Sequence, residues 1–93
     1  RELDWPELAR SDQTLVIYMG LVGIEKILGQ LIAAGRSAST PAVLIENATL
    51  NNQRAVFASL DGLALAVARE QVTGPSIIIV GEVVALAPDY PGH

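Results

Sequence analysis

The sequence predicts an α/β domain of the two-layer α+β type, a β-α-β-β-α-β chain whose mixed sheet is covered by two main helices. Three observations predict it. Short aliphatic runs recur at 14–19, 42–46, 53–59 and 76–80, each too brief to be a helix of ordinary length. Two of the three gaps between those runs carry apolar residues at the spacing of one helical face. The remaining gap is a short polar loop rich in Asn, which favours a tight reversal between neighbouring strands.

Residues 1–13 differ from the rest. They are charged and non-periodic, with Trp5-Pro6 unsuited to a strand or a helix interior. Asp4 and Pro6 could start a short helix over 7–10. The segment reads as a linker from a further domain, and a start at Arg1 rather than Met points to a piece of something longer. Thr14–Met19 is a run of β-formers, apolar on both faces, that stops at Gly20. Ile24, Ile27, Leu28, Leu31 and Ile32 then form a helical stripe backed by Glu25, Lys26 and Gln30. Gly35 closes that helix as a left-handed cap, and Gly29 weakens its middle.

A polar loop over 36–40 leads through Pro41 into the second strand, Ala42–Glu46. Strand, helix and strand in this order suggest a parallel, right-handed crossover. The Asn-rich loop precedes a third strand, Gln53–Ser59, expected to pair antiparallel with the second. Ser59 or Asp61 is the expected cap of a second helix over about 61–71, with Leu63, Ala64, Val67 and Ala68 as its apolar face. Ser76–Val80 is the fourth and most hydrophobic strand, expected to bend at Gly81 and continue over Glu82–Leu86. The domain proper is read as 14–87, and the tail 88–93 as frayed.

Composition excludes several kinds of chemistry. The 93 residues contain no Cys, and the lone histidine is the terminal His93, so disulfides, Cys/His metal sites and a His-based catalytic unit are not expected. A net charge of −4 lacks the positive footprint of a nucleic-acid binder. The stretch Ile77–Ala87 is too short for a membrane span, and no basic region followed by an apolar run opens the chain. Neither nucleic acid nor membrane is an expected partner, and the lack of Cys leans towards a cytoplasmic setting.

Candidate chemistry is sparse. Glu46 and Glu82 follow strands where an open α/β sheet places its sites, but they read more readily as structural polar residues than as acid–base groups. Arg54 reads as a hairpin-pairing or surface charge. No general base, activated nucleophile and oxyanion site come together, so no catalytic residue is assigned. The loops at Met19-Gly20 and Asn47-Ala48-Thr49 carry more interest. If their strands are parallel, both loops leave one edge of the sheet and could present backbone groups to a single ligand, with Met19 as an adaptable apolar contact. The competing reading makes Met19 plain core and Asn47 a turn former.

Four segments in order carry a resemblance: Thr14–Gly20, Thr40–Thr49, Gln53-Arg54 and Gly74–Val84. Together, at these intervals, the series resembles the C-terminal domain of the tetrapyrrole (corrin/porphyrin) methylase family, in its uroporphyrinogen-III C-methyltransferase branch. The resemblance spans about residues 12–86. It implies S-adenosylmethionine held between two α/β domains, methylation of uroporphyrinogen III to precorrin-2 for sirohaem and cobalamin synthesis, and a homodimer. It also implies cofactor contacts at Met19, Gly20 and Ala48, to which strand polarity adds Pro75 or Ser76. Gly is frequent at the position of Ala48, and alanine is tolerated there if its φ is negative.

The Gly-rich loop and the proton-handling residues of the family's N-terminal domain are absent from these 93 residues. The chain alone is therefore expected to be inactive and to need that domain as partner. Arg36 and Arg54 are minor local candidates for the substrate's carboxylates. Two alternatives stand beside this reading. One is a non-catalytic dimerisation or interaction module. The other is a different methylase of the superfamily, acting later in the corrin pathway, on diphthine or on ribosomal RNA.

Overall fold

The computed structural model describes residues 14–19, 23–47, 51–72 and 74–91. Strand β1 is Leu15–Met19, helix α1 Ile24–Ala33, β2 Pro41–Glu46, β3 Arg54–Ser59, helix α2 Leu63–Arg69 and β4 Ser76–Val80. A 3₁₀ segment, Glu82–Leu86, follows β4. This is the expected β-α-β-β-α-β order, in an α/β domain with one four-stranded sheet and two helices.

The strand order is β1-β4-β2-β3, and all three ladders are antiparallel. The expectation of a mixed sheet is corrected in this respect. Strands β1 and β2 do run in the same direction, but β4 inserts between them and hydrogen-bonds to both. The two strands richest in consecutive aliphatics, β2 and β4, take the centre, where both faces gain cover. Strand β1 lies at an edge, and its Tyr18 is 78% exposed on the face away from the helices, so it is not the doubly buried strand expected.

Alternation along the strands sorts the helix-facing side into three rows. The first is Leu15–Val80–Ala42–Ala58, and the second Ile17–Ile78–Leu44–Val56. Against them pack Leu28 and Leu31 of α1 and Leu63 and Val67 of α2. Leu31, Leu44, Leu60, Leu63, Ile78 and Val80 are fully buried, and each contributes about 1.5–3 kcal/mol relative to exposure. The third row, in register with Met19, is Ser76–Glu46–Arg54, where the core gives way to polar side chains at the edge of the sheet.

The helix ends follow from their hydrogen bonds. Gly35, at φ 120°, donates to Ile32 O, and Arg36 N–H reaches Leu31 O, which is a Schellman closure at the expected glycine. Helix α2 closes the same way without a glycine. Gln71 sits at φ 56° and donates to Ala68 O, while Val72 N–H reaches Val67 O.

The N-terminus of α2 departs from expectation. Gly62, which has no side chain to cap with, is the capping residue, and Ser59 Oγ donates to Asp61 Oδ1. After Val80 the chain turns at Gly81, whose N–H donates to Pro41 O, and winds into the 3₁₀ segment, so the strand does not continue over Glu82–Leu86. In the tail, Tyr90 packs edge-on against Phe57 with ring centroids 5.8 Å apart, on the sheet face away from the helices.

Candidate functional site

The third row defines the candidate site. Met19 ends β1, Ser76 opens β4, Glu46 ends β2 and Arg54 opens β3, and all four are in register. The chain leaves β1 and β2 at this edge and returns to β4 and β3 there. The two loops singled out from the sequence therefore emerge together, as they would from parallel strands. The insertion of β4 brings the segment at Pro75 between them.

Glu46 is the structural centre of this edge. Its side chain is 8% exposed, whereas that of Arg54 is 42% exposed. Arg54 Nε donates to Glu46 Oε1 at 2.7 Å, and the Gly74 N–H donates to Glu46 Oε2 at 2.7 Å. Arg54 Nη2 donates to Glu70 O at 2.7 Å, so the same guanidinium reaches the end of α2, where a cation is favoured. Both bonds to Glu46 are charge-assisted, which suits a carboxylate taken out of water.

A further tie joins the same segments. Asn47, at φ 57°, donates its N–H to Pro75 O at 2.8 Å, and Ser76 Oγ donates to Gly74 O at 2.9 Å. Gly74 has no room for a side chain, since a Cβ there would lie 2.5 Å from Asn47 Oδ1 and 3.1 Å from Glu46 Oε2. The turn after β2 and the approach to β4 are thus in direct contact.

Beside this edge, the first turn of α1 and the last turn of α2 flank an open groove of about 470 Å³. Its walls combine Ile24, Ala64, Val67 and Val72 with the polar Glu25, Lys26 and Gln71. That volume falls in the range of small-molecule sites.

The residues expected from the sequence fall as follows. Met19 holds its register position beside Ser76. Pro75 is exposed, and its carbonyl is engaged by Asn47. Gly20 and Ala48 lie outside the described residues, and with them the question of φ at Ala48. Arg54 pairs across the β2–β3 hairpin, as its position after the polar loop suggested. Arg36 is buried, so it does not project towards a bulky polyanion. Glu46 is an ion-paired structural group. Its bond to Gly74, 28 residues away, had no signal in the sequence. No group of three or more His, Cys, Asp or Glu side chains suited to a metal occurs among the described residues. None of the described helices is long and apolar enough to cross a membrane.

Comparison with known proteins gives these features a family. Residues 1–64 match the Tetrapyrrole (Corrin/Porphyrin) Methylases. The chain is 55% identical over 85 residues to siroheme synthase of Stutzerimonas stutzeri, covering 91% of this chain and 18% of that protein. It is 45% identical over 85 residues to siroheme synthase of Nitrosomonas europaea, with the same coverage.

Among solved structures, uroporphyrin-III C-methyl transferase from Thermus thermophilus, complexed with S-adenyl homocysteine, superposes with a TM-score of 0.76. That pair is 31% identical, over 94% of this chain and 38% of the other. A cobalt precorrin-4 methyltransferase shares the fold, with a TM-score of 0.78 at 22% identity, over 88% of this chain and 34% of the other. The chain thus spans less than a fifth of the curated relatives' length. With a family match over more than half its residues, and with the fold to accompany it, the chain belongs to the tetrapyrrole (corrin/porphyrin) methylase family.

Proposed function

We propose that this chain forms one wall of the S-adenosylmethionine site in a C-methyltransferase that converts uroporphyrinogen III to precorrin-2, on the way to sirohaem or cobalamin. The observation that carries the reading is the convergence, at one edge of the sheet, of the ends of β1 and β2 and the start of β4, with Asn47 bonded to Pro75. The Thermus thermophilus enzyme, a structural relative, was solved with S-adenyl homocysteine, and the siroheme synthases are sequence relatives. The mostly apolar groove beside this edge suits an adenosine and a thioether better than a metal.

In this reading Met19 gives the adaptable apolar contact, Ala48 approaches the cofactor through its backbone, and Gly20 and Pro75 line the same cleft. S-adenosylmethionine supplies, when bound, a methyl group already activated on a sulfonium. The chain's own part is to hold and orient it and to keep water out, which needs no acid, base or nucleophile from these residues. The other wall, the groups that handle protons and the sites for the substrate's carboxylates belong to the N-terminal domain. The assembly is read as a cytoplasmic homodimer, which light scattering on the complete enzyme tests.

Calorimetry tests the central claim. The complete enzyme containing this sequence is expected to bind S-adenosylhomocysteine at micromolar affinity and to methylate uroporphyrinogen III. The 93-residue chain by itself is expected to give no turnover. Turnover by the isolated chain, or no binding by the complete enzyme, refutes the reading.

A further inference from the structure

We infer that Glu46 and Arg54 are positioning residues for the cofactor. Their ion pair, extended through the Glu46–Gly74 bond, holds Asn47, at the end of β2, and Pro75, ahead of β4, at one separation, and so sets the edge against which the cofactor lies. This inference rests on the functional reading above.

The geometry is specific. The two oxygens of Glu46 are used differently, Oε1 by a side chain on β3 and Oε2 by the backbone of Gly74. Arg54 meanwhile holds the carbonyl of Glu70, at the end of α2. One charged pair therefore links β2, β3, the end of α2 and the start of β4. With Arg54 42% exposed, the pair's attraction is screened by water and adds little to stability by itself. The rows behind this one, Ile17–Ile78–Leu44–Val56 and Leu15–Val80–Ala42–Ala58, are apolar throughout. Of these three described rows, the one at the edge from which the candidate loops leave carries the ion pair. Asn47 and Pro75, neighbours of the clamped residues, are bonded to each other at 2.8 Å. The positions read as cofactor contacts, Ala48 and Pro75, each lie within two residues of a clamped group.

The test uses the complete enzyme with Glu46→Gln, Arg54→Met and Arg54→Lys. Glu46→Gln keeps the side chain's shape but replaces the charged acceptor. Its dissociation constant for S-adenosylhomocysteine should rise about tenfold, and the KM for S-adenosylmethionine with it, while kcat at saturating cofactor stays within about twofold. Arg54→Met should behave alike, and Arg54→Lys, which preserves a cation opposite Glu46, should recover most of the affinity. Amide exchange at Gly74 and Asn47 should quicken about tenfold in Glu46→Gln and Arg54→Met, a readout that needs no cofactor.

Wild-type affinity in folded Glu46→Gln and Arg54→Met enzymes overturns the inference, as does a fall in kcat with unchanged KM. If Glu46→Gln does not fold, the half-exposed Arg54 position decides by the same criteria. If the unaltered enzyme binds no S-adenosylhomocysteine, the cofactor reading fails, and the positioning role fails with it. Quickened exchange at Gly74 and Asn47 would then leave the ion pair as a purely structural clamp, which separates the two failures.

Discussion

Gly74→Ala isolates the close approach at the candidate site. Gly74 does not occupy the left-handed region, so its backbone can host alanine and any cost is steric. The added Cβ would lie 2.5 Å from Asn47 Oδ1, about 0.9 Å inside the 3.4 Å at which ordinary contact begins. Asn47 cannot retreat as a unit, because its N–H is bonded to Pro75 O on the same side. Forcing a methyl into a filled site costs about 1–3 kcal/mol. Loss of the glycine's freedom in the unfolded chain returns about 0.4–1 kcal/mol. A net loss of about 1.5 kcal/mol should lower Tm by about 6–12 °C.

Urea denaturation and thermal melting of the 93-residue chain measure this effect, with Gly29→Ala as the control. Gly29 lies inside α1 with open space at its Cβ, so alanine there should stabilise by about 0.8 kcal/mol. The same substitution type thus carries opposite signs at the two sites. In an Asn47→Gly background the obstructing side chain is gone, and Gly74→Ala should cost about 1 kcal/mol less. A neutral or stabilising Gly74→Ala, or a cost unchanged by Asn47→Gly, would refute the steric account.

Other outcomes follow from single residues. Leu44→Ala, at a fully buried central position, should cost about 3 kcal/mol, read as a lower urea midpoint with unchanged slope. Gln71→Gly relieves a left-handed side-chain residue at the close of α2 and should raise stability by about 1 kcal/mol in the same assay. Asp61→Ala should change stability by less than about 0.5 kcal/mol, because Asp61 bonds Ser59 and caps no helix, whereas a capping aspartate would cost about 1 kcal/mol.

How far the chain was legible shows in particular residues. The stripe through Leu28 and Leu31, the left-handed turn at Gly35 and the pairing of β2 with β3 all arise from neighbours close in sequence, and each was readable there. Gln71 took a glycine's role unannounced, because the N–H bonds that it and Val72 donate to the carbonyls of Ala68 and Val67, with the burial of Val72, outweigh the strain of its backbone. The capping sequence at Ser59 and Asp61 was misleading, since two side chains that could each cap a helix satisfied one another first.

The sequence by itself determined the element order, the apolar faces and the family signature, because periodicity and short motifs are local properties of the chain. Only the tertiary structure decided that β4 enters between β1 and β2, which turned an expected mixed sheet into an antiparallel one. Pairing partners of strands far apart in sequence depend on which neighbours bury the most apolar surface, and no local pattern encodes that choice. The same insertion created the site's geometry. It set Ser76 between Met19 and Glu46, and it placed the Gly74 N–H where a buried carboxylate could receive it.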